Sequence, residues 1–241
     1  NLYLYSAGIT PRLLEVIAAE PRIVRYLDMP MQHGSDKMLV AMRRPERQAP
    51  IREKVARYRD AVPDLAIRTT VIVGFPGETD YDFDQLCEFL DELSLERVGV
   101  FTYSPQEGTH AARLADDVPE SLKLERMERV SQLQRGITAE RYEGRVGRRA
   151  TALVDYSAAE GEPALARLPW QADDIDGLTR LDRDVAAGRF VDVEITGVVD
   201  DYDFTAHVVE VKEVKERAVL PALRRALPMA PSTTTTGSYG R

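Results

Sequence analysis

The sequence predicts an α/β protein: the C-terminal half of a TIM-like (βα) barrel, followed by a small antiparallel β-barrel. Three observations predict it. Up to residue 144, β-branched runs alternate with helical stretches through short loops, the pattern of right-handed βα units on a parallel sheet. That stretch falls well short of the roughly 250 residues of a complete eightfold barrel, so half a barrel fits better. From Arg145 the helices stop, and short strands separated by Gly- and Asp-rich turns take over.

The chain opens on Asn1-Leu2-Tyr3-Leu4-Tyr5, an alternating, strand-like run with no initiator Met, and is read as a piece that starts inside an element. Thr10-Pro11 reads as an N-cap with proline at the first helical position, and Glu20-Pro21 closes that helix. The run Val24 to Pro30 is extended and feeds the loop Met31 to Ser35, after which a helix is expected over Asp36–Arg44 and another over Ile51–Asp60. Leu65 to Val73 is rich in β-branched residues and reads as a buried strand. It ends at Gly74-Phe75-Pro76-Gly77-Glu78, and Thr79 with Asp82 has capping-box spacing for a helix from Asp80 to Leu93. A strand over Arg97–Tyr103 leaves through Ser104 to Gly108. Asp117 and Glu120, again at capping-box spacing, then open a long helix carrying Leu122, Met127, Val130, Leu133 and Ile137. In the second part, Ala150–Val154, Phe190–Ile195 and His207–Val211 read as strands. The domains are therefore 1–144 and 145–212, with 213–241 a linker-like, disordered tail.

Composition excludes several classes. No run of about 18 apolar residues and no basic-then-apolar leader is present, so neither a membrane nor secretion is suggested and the protein is read as cytoplasmic. The single cysteine, Cys87, cannot supply a disulfide framework or a multi-thiolate metal site. It shares an apolar helix face with Phe83, Leu86 and Leu90 and reads as a structural thiol. His110 and His207 lack ligand spacing, and neither a Walker loop nor a Ser-His-Asp set is present. A net charge of −8 argues against broad nucleic-acid binding.

In parallel βα folds the loops leaving the C-terminal strand ends gather at one face, where ligands bind. Three such loops carry the candidates. The first offers Gln32, His33 and Ser35 as hydrogen-bonding groups, or is a polar turn in which Ser35 or Asp36 merely caps the next helix. The second, with Gly74 and Gly77 around Phe75, permits close backbone approach to a ligand, or is a tight turn chosen for geometry. Glu78 either contacts ligand or favours the helix N-terminus, and Arg43 and Arg44 close a helix, where cations are favoured in any case. The third loop starts at Tyr103.

The segments Tyr26-Leu27-Asp28-Met29-Pro30-Met31-Gln32-His33, Arg68 to Glu78, and Arg97 to Pro105 together resemble the radical SAM methylthiotransferases, and within them the branch that modifies a ribosomal protein. The resemblance spans residues 1 to about 212 and makes the second part a TRAM-like barrel, with Ala172 to Gly177 similar to a TRAM stretch and Arg167 to Gln171 departing from it. It implies a transferase that adds a methylthio group to the β-carbon of an aspartate in a small-subunit ribosomal protein. One S-adenosylmethionine (SAM) serves as methyl donor and a second as radical source. Gln32, Ser35, Gly74, Phe75 and Tyr103 would line the SAM site, with Arg44 the partner of the methionyl carboxylate. The family's CxxxCxxC motif is absent here, so its 4Fe-4S clusters would be held by upstream cysteines and this chain alone would be inactive. An electron donor and a sulfur source are implied as well.

The alternative is a tRNA (adenosine) methylthiotransferase of the MiaB type. From Arg145 to Lys212 there are 8 Lys and Arg against 14 Asp and Glu. That excess, concentrated in Asp173 to Asp176 and Asp200 to Asp203, suits a basic ribosomal protein and argues against RNA. A further alternative is a noncatalytic scaffold of the same architecture.

Overall fold

The computed structural model describes residues 4–173 and 175–213. The opening run lies outside this range except for Leu4 and Tyr5, as does the tail beyond Glu213.

Strands β1 (Tyr26–Asp28), β2 (Ala66–Val73) and β3 (Arg97–Thr102) form a parallel sheet in the order β1-β2-β3. Helices α2 (Asp36–Ala41) and α3 (Gln48–Ala61) connect β1 to β2, and α4 (Asp80–Leu93) connects β2 to β3. Helix α1 (Pro11–Ala19) precedes the sheet and α5 (Glu120–Glu143) follows it. Side chains alternate across β2, so Ile67, Thr69, Val71 and Val73 are fully buried under the helices, while Arg68, Thr70 and Ile72 turn to the other face and stay half-buried. The covered face joins Leu86, Phe89 and Leu90 of α4 and Val130 of α5 in one core.

Helix α4 starts with the capping box its sequence announces. The Thr79 hydroxyl accepts from the Asp82 N–H at 3.3 Å, and the Asp82 carboxylate accepts from the Thr79 N–H at 3.0 Å. Helix α5 does not: Pro119 occupies its N-cap without a side-chain cap, and the Asp117 carboxylate instead accepts from the Gly77 N–H at 2.7 Å. Nor is the buried face of α5 the apolar stripe expected. Lys123, Arg126, Gln134 and Thr138 lie buried beside Val130, Ile137 and Tyr142, because the helix runs past strand and loop ends whose backbone and acidic groups need donors.

Strands β4 (Arg149–Tyr156), β5 (Leu165–Arg167), β6 (Thr179–Leu181), β7 (Phe190–Val199) and β8 (Asp203–Val211) close a barrel in the order β4-β5-β6-β8-β7, with β7 returning to β4. One neighbouring pair, β6 with β8, runs parallel, so the barrel is not wholly antiparallel. Ala152, Val154, Val191, Val193, Ile195, Phe204, Ala206 and Val208 fill it. Strands β5 and β6 are three residues each, too short to show alternation.

The two parts share a junction. Tyr26 and Ala66 of the sheet pack in the barrel's core with Tyr142 of α5. Asp176 is buried there: its carboxylate accepts from the Tyr26 hydroxyl at 2.5 Å and the Ala172 N–H at 3.0 Å, and faces Arg97 and Arg68 at 3.7 and 3.8 Å. Arg97 also donates to the Asp176 carbonyl. Burial, then the Asp176 charge, push the Tyr26 pKa far up and keep the hydroxyl a donor. Gly177, at φ +78°, is obligatory because a Cβ would lie 2.3 Å from the Tyr202 carbonyl oxygen. The acidic run expected on the surface is thus divided. Asp173 pairs with Arg167 at 2.6 Å, Asp176 is internal, and Asp174 lies outside the described residues. The second run is partly neutralised too, since Arg180 lies 3.4 Å from both Asp200 and Asp203.

Candidate functional site

The uncovered face of the parallel sheet ends in a cleft of about 670 Å³ at the C-terminal ends of the strands. That is well within the roughly 300–1,000 Å³ of small-molecule sites. Of the candidates, Gln32, Arg44, Phe75 and Tyr103 line it; Ser35 and Gly74 do not.

Gln32 extends β1 by one bridge to Val71: its N–H donates to the Thr70 carbonyl and its carbonyl accepts from Ile72, both at 2.9 Å. It does so at φ +74°, a conformation unusual for a residue with a Cβ. Arg43, at φ +57°, is a second such residue on the same cleft. It stands where glycine is usual after a helix: α2 stops at Ala41, the Arg43 N–H donates to Val40 and the Arg44 N–H to Leu39. That turn, three residues short of the helix end expected, carries Arg44 back over the cleft. Strained backbone of this kind gathers at functional sites.

Arg44 donates to the Pro30 carbonyl at 3.1 Å and lies 3.8 Å from Glu46, yet its Nε is buried without a hydrogen-bond partner. Phe75 and Tyr103 meet edge to face with ring centroids 5.0 Å apart, backed by Met38. The loop that presents Phe75 is fixed from behind. Gly74, at φ +72°, lies against Lys123, whose Cγ would be 2.3 Å from a Cβ. Glu78 is buried and neither touches the cleft nor merely faces the helix dipole. Its Oε2 accepts from the Gly74 and Phe75 N–H groups at 2.6 and 3.2 Å, and its Oε1 from Arg126 at 3.0 Å.

Ser35 is the N-cap residue of α2 but makes no cap hydrogen bond; it is buried, with its hydroxyl donating to Asp82 at 2.8 Å. His33 is also fully buried, with Nδ1 accepting from the Ser35 N–H at 2.9 Å, so its proton sits on Nε2, 3.6 Å from Glu78. Thr70, Ile72, Phe101 and Gln106 also line the cleft without having been candidates, as does His110, which had been set aside for lack of ligand spacing. The signal for the first three was there: alternate positions on β2 and β3 must share the face opposite the core.

Cys87 is half-buried on α4, and burial pushes its thiol pKa up. Among the described residues no group of three or more His, Cys, Asp or Glu side chains is placed to hold a metal ion, and no helix is long and apolar enough to cross a membrane.

Residues 1–90 match the radical SAM superfamily and residues 146–209 the TRAM domain. A protein of Anaeromyxobacter sp. (strain K), named ribosomal protein uS12 methylthiotransferase RimO, is 45% identical over 228 residues, 94% of this chain and 48% of that protein. The chain belongs to the RimO-type radical SAM methylthiotransferase family. Members with the same name from Desulforudis audaxviator and Myxococcus xanthus are 44% and 43% identical over 86% and 89% of this chain, and 46% and 45% of those proteins. The chain spans about half the length of the curated methylthiotransferases it matches. Coproporphyrinogen III oxidase (HemN) from Escherichia coli, a radical SAM enzyme, is a distant likeness: 14% identity and a TM-score of 0.48, over 80% of this chain and 45% of that one. The radical SAM match takes in two of the three cleft loops, and the TRAM match takes in all five barrel strands to within two residues of the end of β8.

Proposed function

We propose that this protein acts as a methylthiotransferase on the β-carbon of an aspartate in a small-subunit ribosomal protein, the uS12 of its relatives' names, in the cytoplasm. Residues 1–144 supply one wall of the SAM site and residues 145–212 a TRAM barrel that meets the protein substrate. The observation that carries this reading is the similarity itself, 45% identity running through both cleft and barrel over 94% of the chain.

The cleft fits SAM. Its apolar side, Ile72, Phe75, Phe101 and Tyr103, suits a purine, and Arg44 on the same lining brings the positive charge that suits the methionyl carboxylate. Bound SAM supplies the methyl group and the source of the 5'-deoxyadenosyl radical. The chain's own residues bind and orient it: Gln32 offers its side-chain amide, Phe75 and Tyr103 keep water from one side, and Glu78 with Arg126 holds the loop beneath Phe75. Ser35 and Gly74 serve as supports.

The 4Fe-4S clusters do not fit the described residues, whose one thiol is half-buried in an apolar helix face. Their ligands are assigned to the portion of the relatives that this chain does not cover, and the electron donor and sulfur source act there. The chain alone is then inactive.

Equilibrium dialysis of the chain with SAM tests the cleft, with Arg44→Gln expected to weaken binding by about tenfold. A wild-type affinity in that variant overturns the carboxylate role. For the substrate, the cluster-containing protein is offered the ribosomal protein and tRNA at matched salt, with products read by mass spectrometry. A methylthiolated aspartate supports the proposal; a methylthiolated adenosine favours the tRNA-modifying alternative.

A further inference from the structure

At the opposite end of the sheet from the SAM cleft, where α3, α5 and the start of the barrel meet, a separate cavity of about 300 Å³ is lined by Arg59, Arg141, Arg145 and Arg148. Two carboxylates, Glu96 and Asp64, face these four guanidinium groups, and both are already engaged. Glu96 is buried and accepts from Arg141 and, at 2.9 Å, from the Ile67 N–H, with Arg59 3.7 Å away. Asp64 accepts from Arg148 at 2.9 Å. Arg59 is further held by the Leu93 and Ser94 carbonyls at 2.7 and 2.8 Å.

Arg145 differs from the other three. It is only 7% exposed, its guanidinium lies over the Trp170 ring at 4.0 Å, and among the described residues no carboxylate or carbonyl receives its N–H groups. A buried cation without an anion is unfavourable. Burial, reinforced by the like charge of Arg141 and only partly offset by Glu96, Tyr142 and Asp64, lowers the Arg145 pKa. The same two causes lower that of Arg59 against the pull of Glu96.

We infer that this cavity binds a phosphoryl group, with Arg145 as its central ligand. The guanidinium fork matches phosphate oxygens in pairs, and four guanidinium groups facing two carboxylates, one of the four buried, leave a positive excess that an anion of more than one charge meets. The volume is at the small end for ligand sites, which suits a compact group. The phosphoryl group can come from a free polyphosphate or from an RNA phosphodiester. The 14 acidic residues against 8 basic ones over Arg145–Lys212 favour the free anion.

Trp170 is the only tryptophan in the chain and lies under Arg145, so its fluorescence reports on the site through that side chain. The test titrates the chain with inorganic pyrophosphate at constant ionic strength, with sodium chloride as control. A saturable change in Trp170 emission is expected, with affinity falling about tenfold in Arg145→Gln and by a smaller factor in the more exposed Arg148→Gln. A mixed-sequence RNA oligonucleotide is then added. Displacement of pyrophosphate identifies RNA phosphodiester as the source, and no displacement identifies a free anion. The inference is overturned if neither probe gives a saturable response beyond the chloride control, or if both variants titrate as wild type.

Discussion

The parallel sheet β1-β2-β3 and the closed barrel β4-β5-β6-β8-β7 handle their inner faces in opposite ways. In the barrel the inner faces meet each other, so Phe204, Val191, Val193 and Ala152 leave no exposed surface. In the parallel sheet, helices cover one face only, and Ile72, Thr70 and Phe101 remain accessible, Phe101 at 58%. A filled sheet offers a partner only its outside. A sheet covered on one side keeps a wall for a ligand, and that is where the cleft lies.

The sharpest way to break this contrast is a pair of matched truncations. Phe204→Ala should cost about 3–5 kcal/mol of stability, because a filled core cannot collapse around the void. Phe101→Ala should stay within about 0.5 kcal/mol while weakening SAM binding. Urea denaturation of both, with dialysis against SAM, decides; a large loss in Phe101→Ala would mean that the sheet's second face is a core after all.

The junction comes next. Asp176→Ala removes the acceptor shared by Tyr26 and the Ala172 N–H and strips Arg97 and Arg68 of a counter-charge. A loss of about 3 kcal/mol is expected. Asp173→Ala, which breaks only a surface pair, should cost less than about 1 kcal/mol. Equal losses in denaturation would show that Asp176 is not the junction's anchor.

A smaller effect is expected where the cleft meets α5. Gly74→Ala forces a Cβ into left-handed backbone and against Lys123, at a cost of about 1–2 kcal/mol. It should also displace Phe75 and weaken SAM binding; an unchanged affinity would separate the loop from the site.

The smallest concerns acid. Burial alone would raise the Asp82 pKa, but hydrogen bonds from Lys37, Thr79 and Ser35 outweigh it and hold the carboxyl well below its ordinary range. With the folded value depressed, the stability it contributes is present above the unfolded value of about 3.9 and lost as pH falls below it. Denaturation midpoints from pH 6 to pH 3 should fall less steeply in Asp82→Asn than in wild type, and Thr79→Ala should lose about 1 kcal/mol at neutral pH. Parallel slopes would remove Asp82 from the account.

Much of the fold was legible because local and tertiary demands agree. The β-branched run of β2 and the Thr79–Asp82 box of α4 point to the structures they form, and loops that follow strands had to converge at one end, which is why Gln32, Phe75 and Tyr103 line one cleft. What escaped needed information that sequence spacing does not hold. Ser35 is a polar loop residue consumed by Asp82, 47 positions away. Asp176 reads as one more surface acid until Tyr26 and Arg97 are seen around it. Strands β5 and β6 are held by the neighbours that pair with them, and Arg145, read as the point where the rhythm changes, takes its environment from Trp170 and the distant Arg59 as well as from Arg141 and Arg148 nearby in sequence.

Closure of the five-stranded barrel limits how a substrate protein is read. Among the described residues every strand has a neighbour on both sides, although the short β5 and β6 pair with only part of β4 and β8, so little backbone edge is left for an incoming chain to dock on as an added strand. Recognition falls to side chains and connecting loops, whose charges are fixed one residue at a time. Affinity for the proposed protein substrate should therefore be tunable by surface substitutions that leave the barrel's hydrogen-bond ladder intact.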